Sequence, residues 1–211
     1  MFAQGCNLNC SFCYNQSLLP FEGTQLINED EVIKYISKHK DLLDAVVVTG
    51  GEPTLQPDLP EFLAKIKSMG FLVKLDTNGT NPEMLERILD AGLVDYAAMD
   101  VKMAPENYKE IMLDGREVDA EKIRKSIEIV MGKAKDYEFR TTVVSSIHDE
   151  FKIEAIGKAI QGAKRWYLQN ADFRFWRGHK DEFMNLEPFS EGEMEEFRKI
   201  GERYVKEVLI R

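Results

Sequence analysis

The only thiols in the chain, Cys6, Cys10 and Cys13, fall in one C-x3-C-x2-C stretch, Cys6-Asn-Leu-Asn-Cys10-Ser-Phe-Cys13. An odd number of cysteines packed this closely is a poor disulfide framework and a good ligand set. Structural zinc wants four closed ligands, and the histidines, His39, His148 and His179, are all distant in sequence. A cubane iron-sulfur cluster can use three thiolates and leave one iron open, and an open iron can bind substrate. A thioredoxin-like role for Cys10-x-x-Cys13 fits poorly near a chain start rather than after a βαβ element. Gly5-Cys6 resembles part of a lipoprotein cleavage site, but no apolar segment precedes it.

Such a loop needs a scaffold. Apolar β-branched runs at 45–49, 71–76, 95–100, 138–144 and 165–169 alternate with amphipathic stretches at 28–39, 60–69, 82–91, 119–135, 149–161 and 190–208. That alternation predicts a parallel α/β fold with strands covered on both faces. The last stretch repeats Phe197, Ile200, Tyr204 and Val208, an apolar helix face packed on the sheet. No repeat or linker divides the 211 residues, and one domain over 1–211 is expected. The unusual residues follow strands: Gly50-Gly51-Glu52, Thr77-Asn78-Gly79 and Val101-Lys102. Parallel strands present their C-terminal ends on one rim, where ligands bind.

The cysteine loop, with Phe12 before the third cysteine, resembles the signature of the radical S-adenosylmethionine (SAM) superfamily. The resemblance continues through Gly50-Gly51-Glu52-Pro53-Thr54-Leu55, Leu75-Asp76-Thr77-Asn78-Gly79, the DYAAMDVK stretch at 95–102 and Phe139-Arg140-Thr141-Thr142-Val143, covering about residues 5–169. Within the superfamily it is most similar to glycyl-radical-enzyme activating proteins of the anaerobic ribonucleoside-triphosphate reductase type. The resemblance implies an incomplete (β/α)6 radical SAM barrel with parallel strands, its first strand short or missing, because only residues 1–4 precede the cysteine loop. A short first strand would expose the edge of strand 45–49.

The same resemblance assigns roles. Cys6, Cys10 and Cys13 would hold a 4Fe-4S cluster whose open iron takes the amino and carboxylate groups of SAM. Phe12, Asn15, Gly50, Gly51, Glu52, Asp76, Thr77, Asn78, Asp100, Lys102 and Arg140 would form the cofactor site. Gly50 and Gly51 would let backbone carbonyls approach the ligand, with Glu52 opposite the SAM ammonium and Asn15 on the ribose side. By themselves Gly50-Gly51-Glu52 read as a common Gly-Gly turn with a surface glutamate, and Asn78-Gly79 could be merely a turn with positive φ; the place of Gly50-Gly51-Glu52 after strand 45–49 and beside the cysteine motif favours the functional reading. Asp76 and Asp100, on one rim, need a cation. The resemblance makes it a monovalent ion completed by backbone oxygens of Thr77 and Ala98. Lys102 would neutralise the SAM carboxylate or bind the ribose, unless it is a solvated surface lysine. Arg140 is assigned to the ligand or to a buried carboxylate. Tyr14 stands where family members commonly have histidine, which leaves the adenine-side contacts open.

The implied reaction is one-electron cleavage of SAM, followed by hydrogen abstraction from a glycine Cα of a partner enzyme, expected to be anaerobic ribonucleotide reductase. Flavodoxin or ferredoxin would be the electron donor. No catalytic side chain beyond cluster and SAM is called for, and without cysteines after residue 13 no auxiliary cysteine-ligated cluster is expected. Two rivals stand beside this reading. One is a small-molecule radical SAM reaction resembling 7-carboxy-7-deazaguanine synthase, and the other a non-enzymatic metal-binding interaction module.

Lys plus Arg is 28 against 37 Asp plus Glu, a net charge of −9, which argues against nonspecific nucleic-acid or anionic-membrane binding. No apolar run approaches a bilayer span and no secretory signal is seen, so a cytoplasmic location is expected. A basic and aromatic segment at 164–180 holds Lys164, Arg165, Arg174, Arg177 and Lys180 among Trp166, Tyr167, Phe173, Phe175 and Trp176. It is either a partner-docking rim or core aromatics with solvated basic neighbours, and His179 is read as a surface histidine.

Overall fold

Seven strands carry the site: β1 Phe2–Ala3, β2 Ala45–Gly50, β3 Leu72–Thr77, β4 Tyr96–Asp100, β5 Tyr137–Val143, β6 Arg165–Asn170 and β7 Glu207–Ile210. They come from a computed structural model that describes residues 1–23, 26–173 and 186–211. All six pairings among the described residues are parallel, and the strand order in the sheet is the order in the sequence. Parallel neighbours in that order require crossover connections, which the helices supply. These helices are α1 Glu29–Lys38, α2 Leu59–Ser68, α3 Pro82–Asp90, α4 Ala120–Lys133, α5 Glu150–Ala159 and α6 Glu191–Gly201. The sheet is an open parallel array rather than a closed barrel.

Alternation along each strand separates a dry face from a polar one. Val46 and Val48, Val73 and Leu75, Ala97 and Met99, Phe139 and Thr141, and Trp166 and Leu168 are buried, and the strand registers put them all on the same side. The opposite parity carries Lys74 and Asp76 on β3, Asp100 on β4, and Glu138, Arg140 and Thr142 on β5. Register alone therefore sets Arg140 beside Asp100.

Helix starts follow the caps that open the sequence ranges. Asn28, Asp119 and Asp149 each accept a first-turn backbone N–H, and Ser190 with Glu193 forms a reciprocal capping box. The last range needs correction, because α6 stops at Gly201 and the chain turns back to form β7 along β6. Val208, spaced like a fourth turn of helix, is buried from a strand instead. The turn is held by Gly162 N–H donating to Tyr204 O at 2.8 Å and Lys206 N–H to Ala163 O at 3.1 Å. The sheet thus gains a seventh strand. The first strand is short, as expected: it pairs only with Thr49 and Gly50 and leaves Val47 of β2 39% exposed.

Candidate active site

The cysteine loop leaves β1 at Gly5 and is shaped by backbone bonds to three separate segments. Gly5 and Cys6 donate to Leu18 and Leu19 carbonyls, Glu52 N–H donates to Gly5 O at 2.8 Å, and Ser11 N–H donates to Ile111 O at 2.8 Å. Leu113 N–H returns a bond to Asn9 O, Cys10 forms an antiparallel bridge with Met112, and the Arg116 guanidinium donates to Asn7 O at 3.0 Å. Cys10 is buried while Cys6 and Cys13 are half-buried. Burial pushes the Cys6 thiol above its usual range and Cys10 up to about 12. Thiols held this way release protons when a metal binds.

All three open into one cleft at the C-terminal rim of the sheet, about 160 Å³ within its walls and about 780 Å³ with its open mouth. Each of the eleven cofactor-site residues selected from the sequence also lines it, joined by Leu8, Tyr14, Leu19, Thr49 and Thr142. Among the described residues no three His, Cys, Asp or Glu side chains are gathered at metal-binding spacing. The donor set, three thiols on one short loop, fits an iron-sulfur cluster. The described histidines add no fourth ligand. Val144 N–H donates to His148 Nδ1 at 3.0 Å, which leaves the proton on Nε2 facing Lys102 O at 3.0 Å. His39 is bonded to Tyr35 O at the end of α1.

Gly50 and Gly51 are required by the chain itself. A Cβ at Gly50, whose φ is 122°, would stand 2.4 Å from Ala3 N, and one at Gly51 would stand 2.1 Å from Gly5 O. Only glycine lets β1 and the start of the cysteine loop approach β2 this closely. The surface-glutamate alternative is excluded for Glu52, which is fully buried. Its carboxylate also has partners inside the fold. Oε1 accepts from Thr54 N–H, Thr54 Oγ1 and Thr77 Oγ1, and Oε2 accepts from Asn78 N–H at 2.6 Å. Burial raises its pKa against the pull of these donors. The Thr77 side chain is equally internal, donating to Glu52 and accepting from Gly79 N–H.

Asp76 and Asp100 do share the rim, and a cation of the chain lies between them. Arg140 Nε stands 2.8 Å from Asp100 Oδ1 and Nη1 3.2 Å from Asp76 Oδ2. The guanidinium meets both carboxylates, the buried-carboxylate option for Arg140. Lys102 Nζ lies 3.0 Å from Asp100 Oδ2 with its side chain 16% exposed, which corrects the solvated alternative. Burial opposes ionisation of Asp100, but Lys102 and Arg140 together hold it at about 2. Burial likewise opposes the Lys102 and Arg140 charges, and Asp100 lifts both above their ordinary values.

Sequence reasoning missed several supports. Lys74 lies 3.4 Å from Asp76 Oδ1 and 3.6 Å from Glu138 Oε1, two buried oxygens that have no hydrogen bond. Its two-residue spacing from Asp76 was the available signal. Tyr108 accepts from Lys102 N–H at 3.1 Å, and Phe12, 3% exposed, meets His148 edge-on. Asn15 begins the 3-10 segment Gln16–Leu18 without capping it. In the basic and aromatic segment, Trp166 and Phe173 are core residues and Arg165 pairs with Asp136. Arg174, Phe175, Trp176, Arg177, His179 and Lys180 lie outside the described residues.

The Radical SAM superfamily model matches residues 1–159. The chain belongs to the radical SAM superfamily. It is 36% identical, over 100% of its own length and 87% of the relative's, to a Methanocaldococcus jannaschii protein provisionally named a glycyl-radical enzyme activating enzyme. A stretch of 82 residues, 36% of this chain and 34% of the relative, is 39% identical to 7-carboxy-7-deazaguanine synthase of Aquifex aeolicus. Among solved structures, SuiB of Streptococcus suis bound to S-adenosylmethionine superposes with a TM-score of 0.66 at 13% identity. That match covers 99% of this chain, which spans about half of SuiB, 48%, and it speaks for the fold. As a radical SAM enzyme, the chain belongs with proteins whose cofactors are a 4Fe-4S cluster and SAM. No helix among the described residues is long and apolar enough to cross a membrane.

Proposed function

We propose that this radical SAM enzyme is an activase that cleaves SAM reductively and generates a glycyl radical on a partner enzyme, with anaerobic ribonucleoside-triphosphate reductase as the candidate. Cluster and SAM, when bound, supply one-electron cleavage of the sulfonium and abstraction of a hydrogen atom. Cys6, Cys10 and Cys13 would hold the cluster, and the rim around Asn15, Gly50, Gly51 and Lys102 would receive SAM. Arg140 holds Asp76 and Asp100 in place beside it.

The observation that carries the reading is the charge balance of the sheet wall. Lys74, Lys102 and Arg140 are each in ion-pair contact with Asp76, Asp100 or Glu138. Among the described residues of this wall, no cation is left over for a phosphorylated or multiply anionic substrate. An uncharged polypeptide backbone meets no unmatched charge there, as a glycine loop requires. The M. jannaschii relative, aligned over the whole chain, supports the same direction.

The test is anaerobic reconstitution with iron and sulfide, then dithionite and SAM. 5′-Deoxyadenosine is assayed with and without a candidate anaerobic reductase, and EPR spectra are recorded. We expect 5′-deoxyadenosine and a glycyl doublet on the reductase. Equal SAM turnover with and without the reductase, and no doublet, would overturn the proposal. That outcome favours a small-molecule reaction, for which the stretch shared with the deazaguanine synthase speaks.

A further inference from the structure

Asn78 reaches across from the turn after β3 to the cysteine loop. Its Nδ2 lies 3.7 Å from Cys6 Sγ, a hydrogen-bond distance for a sulfur acceptor, and 3.3 Å from Asn7 Oδ1. The amide cannot be turned around, because its Oδ1 accepts from Thr80 N–H at 2.9 Å and from Thr80 Oγ1 at 2.7 Å. Asn7, the residue after Cys6, donates from its own amide to Thr80 Oγ1 at 2.9 Å, closing the connection. Asn78 is 5% exposed and Thr80 8%, so water does not compete freely for these groups. Below them, Glu52 Oε2 holds the Asn78 backbone N–H.

A donor aimed at a cluster-ligating sulfur stabilises the reduced, more negative cluster, and hydrogen bonds to the sulfurs are among the terms that set cluster potentials. We infer that Asn78 is a positioning residue that donates to the Cys6 thiolate and raises the reduction potential of the cluster, with Glu52 and Thr80 holding it in place. The buried glutamate would then serve electron uptake through its grip on this turn. The inference rests on the cluster that superfamily membership implies, and not on the identity of the hydrogen donor.

The experiment is a dye-mediated redox titration of the reconstituted protein, followed by EPR, without SAM or partner, with iron counted per chain. We expect Asn78→Ala to load iron and to lower the reduced-to-oxidised ratio at fixed potential about tenfold, equivalent to about 59 mV for one electron. Thr80→Val, which keeps the backbone bond to Asn78 Oδ1 and removes the hydroxyl bonds to Asn78 and Asn7, loosens the amide and should move the midpoint the same way by less. An Asn78→Ala protein that holds full iron at the wild-type midpoint overturns the inference. If that variant fails to load iron, Thr80→Val decides, and a wild-type midpoint there overturns it. If neither variant loads iron, pulsed EPR of wild-type protein labelled with 15N-asparagine decides. Coupling of an asparagine side-chain nitrogen to the reduced cluster supports the inference, and its absence overturns it. Failure of the activase proposal would leave these midpoints unaffected.

Discussion

Replacing Arg140 with methionine removes a guanidinium from between two carboxylates and keeps much of its apolar stem. The side chain is 13% exposed and contacts Asp100 at 2.8 Å and Asp76 at 3.2 Å. Removing one partner of a buried ion pair costs about 3–5 kcal/mol. Here Asp100 keeps Lys102 at 3.0 Å and Asp76 keeps Lys74 at 3.4 Å, so the lower end, about 3 kcal/mol, is expected. With an unfolding entropy of about 2.1 cal/mol/K per residue, that loss lowers Tm by about 7 °C for a chain of this length.

The effect depends on pH. In the native protein Asp100 is held at about 2, below its unfolded value. Its stabilising contribution is therefore complete above about pH 4 and lost as pH falls toward 2. In the variant one of its two cations is gone, so Asp100 takes up a proton at higher pH and the repulsion is relieved earlier. The gap in Tm between the two proteins, followed by differential scanning calorimetry, should be widest near pH 7 and narrow by pH 4. A gap below about 2 °C at pH 7, or one that does not change down to pH 4, would refute the reasoning, since uncompensated charge would then not be what the substitution exposes.

Three further outcomes can be checked separately. Gly51→Ala puts a methyl 2.1 Å from Gly5 O, and iron analysis after reconstitution should show the cysteine loop unable to hold its full cluster. Glu52→Gln turns a four-bond acceptor into a group with donors facing donors, and denaturant titration should show a loss of about 2–4 kcal/mol. Tyr108→Phe strips Lys102 N–H of its acceptor. It should cost about 1–2 kcal/mol and weaken SAM binding by calorimetry, with wild-type affinity and stability as the contrary result.

The parts legible from sequence were those set by local chemistry. The helix starts at Asn28, Asp119, Asp149 and Ser190 were legible, because the caps the structure shows there depend on neighbours a few residues away. The last helix was overextended because Tyr204 and Val208 continue an apolar spacing that Gly201 interrupts. The internal partners of Glu52 were not legible for a different reason: two of its donors, Thr77 and Asn78, come from the next strand's end, a distance in sequence that no local pattern reports. Arg140 could be read only as needing an anion, since strand register determines which anion it meets.

The moulding of the cysteine loop has a consequence for synthesis. Its thiols are made first, yet the segment that clasps them lies far downstream, and the Arg116 bond to Asn7 O spans 109 residues. Contacts of such long range form late. During translation the three cysteines therefore wait, without that clasp and open to oxidants, until three later strands, β2, β3 and β4, have been made. Protection of the nascent chain from oxygen is then a requirement of folding as well as of catalysis.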